Sequence, residues 1–129
     1  MKTMIFRTLT RLAGLCFCFT LISICLTSCG SEPAERISIA TLHQAEQQNE
    51  VAAYNKYNGK KLAITGRVDT ISSGIFLDSH IWLKDGEGRG FMCYFKDESE
   101  LDKVTKGQVV TIVGKYDKGS LKRCRIYLY

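Results

Sequence analysis

From Leu62 to the end of the chain, apolar side chains return at every second position in short runs separated by glycine-containing turns. That period belongs to strands with one face in a core, so it commits the chain to a mainly β fold. The first run sets Leu62, Ile64 and Val68 against Ala63, Thr65 and Arg67, with Gly66 in its interior. A glycine placed there marks a bulge or a bend. Ser72-Ser73-Gly74 is a turn, and a second strand spans Ile75 to Lys84. It has Ile75, Leu77, Ile81 and Leu83 on one face and Phe76, His80 and Trp82 on the other. Asp85-Gly86-Glu87-Gly88 makes a hairpin turn. The third strand, Phe91 to Lys96, alternates Phe91, Cys93 and Phe95 with Met92, Tyr94 and Lys96. Asp97 to Val104 places acidic residues before lysine, the order the helix dipole favours, and predicts a short helix with Gly107 beyond its end. A fourth strand runs from Gln108 to Tyr116 with Val110 and Ile112 inward and Gly114 bending it. After Asp117-Lys118-Gly119 a fifth strand reaches Tyr129, with Cys124, Ile126 and Leu128 on one face and Arg123, Arg125 and Tyr127 on the other.

Upstream, Ile39, Leu42, Ala45, Ala52, Ala53 and Tyr57 fall near helical spacing. One helix is expected over residues 37–57, capped by Ser38 and stopped by Gly59, with an alanine-rich face suited to docking on a folded sheet. Three strands, a short helix and two more strands, with glycines inside the first and fourth, is the order of the OB-fold, a five-stranded, partly open barrel. The expected fold is therefore a mainly β OB-fold barrel with an N-terminal helix and a short helix between strands three and four. Asn49 through Val68, with Lys-Tyr-Asn-Gly-Lys-Lys-Leu and Thr-Gly-Arg-Val, resembles the bacterial tRNA_anti-like OB-fold family. Met92-Cys93-Tyr94-Phe95, Lys106 to Gly114 and Cys124-Arg125-Ile126 carry the same resemblance. The family name records likeness to nucleic-acid-binding domains of tRNA-charging enzymes, and many members resemble secreted lipoproteins.

The beginning of the chain reads as an address. Lys2, Arg7 and Arg11 precede an uncharged run from Leu12 to Leu26, a positive n-region and an h-region too short to cross a bilayer. Leu26-Thr27-Ser28-Cys29 then resembles the bacterial lipobox. The resemblance implies cleavage before Cys29, a diacylglyceryl group on its thiol and a further acyl chain, such as palmitate, on the new N-terminus. Two or three acyl chains hold a protein on a membrane where one would not. The expected organisation is a signal peptide over residues 1–28, a tether over 29–36 and the OB domain over 37–129. Glu32 and Glu35 give the tether an acidic tint that resembles surface-export signals of Bacteroidetes lipoproteins. The expected location is the cell envelope, lipid-anchored in the outer membrane on its periplasmic or surface face.

Processing changes the arithmetic of charge. Three of the 18 basic residues leave with the leader while all 13 acidic ones stay, so the net charge falls from +5 to +2. That balance and an envelope address argue against nucleic acid as a partner. They favour a non-enzymatic module that binds envelope protein or glycan. Single-stranded nucleic-acid binding and a purely structural role are the alternatives.

Three candidate sites follow. Cys93 and Cys124 survive processing on the apolar parity of strands that neighbour each other in an OB barrel. A cross-strand disulfide forms if their α-carbons come within about 7 Å; otherwise the pair are small core hydrophobes. Phe76, His80, Trp82, Met92 and Tyr94 share the outward parity of strands two and three, the face OB-folds use for oligonucleotides or oligosaccharides. The plainer reading has the helix or a partner covering them. Lys115, Lys118, Lys122, Arg123 and Arg125 form a basic group near the last hairpin, suited to phosphates or acidic glycans, or simply to guarding an edge. No nucleophile with a base and no phosphate loop can be read: Gly86-Glu87-Gly88-Arg89-Gly90 sits in a hairpin. His43, His80 and the two cysteines lack metal-ligand spacing, so no cofactor or metal is expected.

Overall fold

The computed structural model describes residues 33–75 and 78–128. The chain enters through a two-residue strand β1 (Glu35–Arg36), which lies parallel to the start of the first barrel strand, Glu35 beside Leu62 and Arg36 beside Ala63. The Ile37 N–H donates to the Ala63 carbonyl at 3.1 Å. Residues 35 and 36, expected in the tether, are thus part of the folded domain.

The single expected helix is two. α1 (Ile39–Gln48) begins where the Thr41 N–H donates to Ser38 Oγ at 3.0 Å, as the sequence predicts. It stops at Asn49, whose backbone is extended at φ −164° and ψ 98°. Asn49 then caps α2 (Glu50–Tyr57), its Oδ1 accepting from the Ala52 N–H at 3.0 Å. A short amide that can bond the backbone locally favours a cap over a helix interior, and that preference divides the segment. Ile39, Leu42, Ala53 and Tyr57 insert into the core from the two helices. Gly59 ends the pair with a left-handed φ of +78° and donates its N–H to the Tyr116 carbonyl at 2.9 Å.

Five strands then close a barrel: β2 (Lys61–Ser72), β3 (His80–Lys84), β4 (Gly90–Tyr94), β5 (Val109–Asp117) and β6 (Ser120–Tyr127). The long β2 makes closure possible. Lys61 to Arg67 pair with β5, and Arg67 to Ser72 pair with β3. β4 and β6 join in parallel through Met92–Ser120 and Cys93–Leu121. The other barrel pairings are antiparallel. Gly66 does not make the bulge expected of it. The β2 bulge falls between Val68 and Thr70, while a Cβ on Gly66 would sit 3.1 Å from Leu83 Cβ and 3.3 Å from Ile39 Cδ1. Gly66 therefore lets α1 approach the barrel. The second bulge joins β5 to β6, where Arg123 and Cys124 together oppose Gly114, and Arg123 adopts a φ of +52°.

The second strand is shorter than its alternation suggests. β2 runs on to Ser72, which pairs with His80, and Ile75, expected to open the second strand, lies outside it and is 92% exposed. The short helix between β4 and β5 is a 3-10 helix (Glu98–Lys103) capped by Asp97, and it buries Leu101. Its Glu100 Oε2 accepts from the Ile126 N–H at 2.8 Å, which ties the helix to β6. The core fills the barrel with Leu62, Ile64, Ile81, Leu83, Phe91, Ile112 and Leu121.

Candidate functional site

The period-two reading of β3 and β4 holds side chain by side chain. Ile81, Leu83, Phe91 and Cys93 are buried, and His80, Trp82, Met92 and Tyr94 between them keep partial exposure. Register brings the outward four into two pairs, His80 opposite Tyr94 and Trp82 opposite Met92. The rings of His80 and Tyr94 lie 5.9 Å apart at 53°. The four outward side chains are each partly buried, and the helices insert Ile39, Leu42, Ala53 and Tyr57 into the core.

Trp82 has a built seat. A Cβ on Gly90 would come within 2.0 Å of the indole, so the ring packs where only a glycine leaves room. Behind it, His43 Nε2 of α1 lies 2.8 Å from the Gly90 carbonyl and, as the donor, holds that strand end. Neither Gly90 nor His43 could be assigned to the site from sequence, because the contact joins residues 47 apart.

Lys122 completes the face. Its Nζ stands 3.6 Å from the centre of the Tyr94 ring, a cation–π contact. Strict alternation from Cys124 would turn Lys122 inward. The bulge at Arg123 resets the parity, so Lys122 is half-buried beside Tyr94 while Arg123 and Arg125 are exposed. Of the expected binding residues, the structure thus gathers His80, Trp82 and Tyr94 on one surface. Arg123 and Arg125 are solvent-facing on β6. Phe76 and Cys29 lie outside the described residues.

Of the two arrangements open to Cys93 and Cys124, disulfide or core thiols, the structure has two free, buried thiols. Cys93 is registered with Leu121, three residues before Cys124, so the cysteines meet diagonally. Burial, then the neighbouring Cys124 thiol, pushes the Cys93 thiol well above its ordinary range, which suits a core side chain and not a nucleophile. A separate groove of about 770 Å³ lies between the helices and the β5–β6 turn, lined by His43, Glu46, Tyr54, Tyr116 and Lys118 among others. Its most buried polar groups satisfy each other, the Tyr116 hydroxyl donating to Glu46 Oε1 at 2.6 Å. Burial and the Glu46 carboxylate push the Tyr116 phenol up. Among the described residues no group of three or more His, Cys, Asp or Glu is placed to hold a metal, and no helix is long and apolar enough to cross a membrane.

With this geometry in view, the tRNA_anti-like family model matches residues 22–123. The chain belongs to the tRNA_anti-like family. The fold is similar to that of a lipoprotein from Klebsiella pneumoniae described as a candidate nucleic acid-binding protein, at 19% identity and a TM-score of 0.62, covering 74% of this chain and 92% of that one. More distant likenesses are a chain of the Stn1–Ten1 complex of S. pombe (22% identity, TM-score 0.47, covering 77% and 76%) and the telomere capping protein Ten1 from Saccharomyces pombe (21%, 0.46, 74% and 78%). No curated protein matches the chain. These findings correct the expectation that set nucleic acid aside. A lipoprotein of this fold can be described as a candidate nucleic-acid binder, so an envelope address does not exclude such a partner. The physical reason on the side of charge is that net charge averages over the surface, whereas binding reads local charge, here Lys122 on the aromatic face.

Proposed function

We propose that this protein is a non-enzymatic OB module, lipid-anchored through Cys29 in the cell envelope, that binds single-stranded nucleic acid across the β3–β4 face. The observation that carries the reading is the Lys122 ammonium poised over Tyr94 beside the partly buried Trp82. Bases stack on such rings with little regard to sequence, because every base has a π-face, and the Lys122 ammonium over the Tyr94 face supplies a cation for the adjoining phosphate. His80 and Met92 extend the surface, and Arg125 adds a second cation on β6. Family membership supports a binding role over catalysis, and the lipobox resemblance of Leu26 to Cys29 supports the anchor.

A gel shift of a labelled oligothymidylate with the full chain in detergent tests the binding. Trp82→Ala and Tyr94→Ala are each expected to weaken it by roughly 5- to 150-fold, the equivalent of about 1–3 kcal/mol per stacked base. Unchanged affinity in both variants would sink the reading. Cell fractionation tests the anchor: Cys29→Ser is expected to move the chain from the membrane to the soluble fraction.

A further inference from the structure

The aromatic face has a continuation that its own residues do not explain. Lys122 on β6 is registered directly opposite Lys115 on β5, and Lys115 directly opposite Lys61 on β2. Three lysines therefore stand side by side across three adjacent strands, partly or fully exposed, beginning at the Tyr94 ring. Like charges placed directly opposite each other in a sheet destabilise it. Usually a carboxylate relieves such a row. Here the ion pairs Lys84–Asp69, Arg89 with Asp85 and Glu87, and Lys103–Glu100 all lie away from the row. The fold thus keeps two repulsive lysine pairs in register at the edge of a stacking surface.

We propose that Lys122, Lys115 and Lys61 form a phosphate track that leads a bound single strand off the aromatic face and around the β6–β5–β2 side of the barrel. The proposal rests on the nucleic-acid reading of the β3–β4 face and adds a direction to it. Bases stack at Trp82 and Tyr94, and the backbone then crosses the strands along the lysines. Arg123 and Arg125 stand further along β6 and lie off this path.

The test is the salt dependence of oligothymidylate binding by the full chain in detergent, comparing wild type with the triple variant Lys61→Gln, Lys115→Gln, Lys122→Gln. Each phosphate contact adds about 0.7 to the slope of log affinity against log salt for single strands, so three lost contacts lower the slope by about 2. Between 50 and 200 mM salt, the affinity loss should be about 20-fold smaller in the variant than in wild type. The melting temperature should stay level or rise, because the repulsion is gone; Lys115→Gln alone should show the same pairing of a shallower slope with no loss of stability. A wild-type slope in both variants would overturn the track and leave the aromatic face standing. Absence of wild-type binding, or wild-type affinity in Trp82→Ala and Tyr94→Ala, would overturn the face and the track together. If instead the triple change, introduced into Cys29→Ser chain, abolished attachment to phosphatidylglycerol vesicles while leaving the oligonucleotide slope intact, the lysines would belong to the bilayer surface and the proposal would fail.

Discussion

Removing the Glu100 carboxylate should loosen the barrel at a defined point. β6 pairs with β4 through Ser120 and Leu121, so further along β6 the N–H groups that face away from β5 need another acceptor. Glu100 Oε2 supplies it for Ile126, at 2.8 Å, from a side chain only 12% exposed. Glu100→Ala leaves the N–H of a buried residue without a partner, which costs about 1–3 kcal/mol. The Lys103 pair adds little, because the lysine side chain is 46% exposed and surface pairs contribute about 0–1 kcal/mol. A total near 2 kcal/mol lowers the melting temperature of a domain this size by roughly 8–16 °C. Glu100→Gln keeps an acceptor oxygen and should lose less than half of that. The pH dependence follows in sign. Burial opposes ionisation of Glu100, but the Ile126 N–H and Lys103 outweigh it and hold its carboxyl below the ordinary value. A depressed carboxylate contributes in full above its unfolded pKa of about 4.3 and loses that contribution as pH falls through the folded value. The wild-type and Glu100→Gln melting curves should therefore differ at neutral pH and converge below about pH 4. Thermal melts by circular dichroism, with hydrogen exchange at the Ile126 amide, measure this. A Glu100→Ala protein that melts within a degree or two of wild type would refute the reasoning.

Other outcomes follow from the same contacts. Gly90→Ala puts a methyl where the Trp82 ring lies, so it should evict the indole, shift its emission and weaken oligonucleotide binding without unfolding the barrel. Gly114→Ala would meet Cys124 Sγ at 2.7 Å and the Lys122 carbonyl at 2.9 Å; with backbone on one side it should cost about 1–3 kcal/mol, read by denaturant titration. Arg123→Gly relieves a non-glycine residue at a φ of +52° and should stabilise the fold by about 1 kcal/mol, with a small effect on binding if Arg123 lies off the path.

Much of the barrel was readable because its strands are half-buried. Alternation at Leu62–Val68, Phe91–Tyr94 and Val110–Ile112 predicted which side chains face the core, and Ser38 and Gly59 fixed the limits of the helical segment. What alternation could not show were the local offsets. Asn49 has the same residue type whether it caps or continues a helix, so the break between α1 and α2 was hidden. The bulge at Arg123 reversed the parity of Lys122, so the sequence put this residue in the basic group near the last hairpin but not beside Tyr94. Gly66 signalled a special position correctly, but its role is close packing against Ile39 and Leu83. The seat of Trp82 depends on Gly90 and His43, a contact set by tertiary packing alone.

The chain contains a single tryptophan, and it lies at the centre of the proposed face, so its fluorescence reports on the central claim directly. Titrating the full chain in detergent with oligothymidylate should quench Trp82 emission to saturation, with an affinity that falls steeply as salt rises. Emission that does not change at any oligonucleotide concentration in low salt would contradict the account.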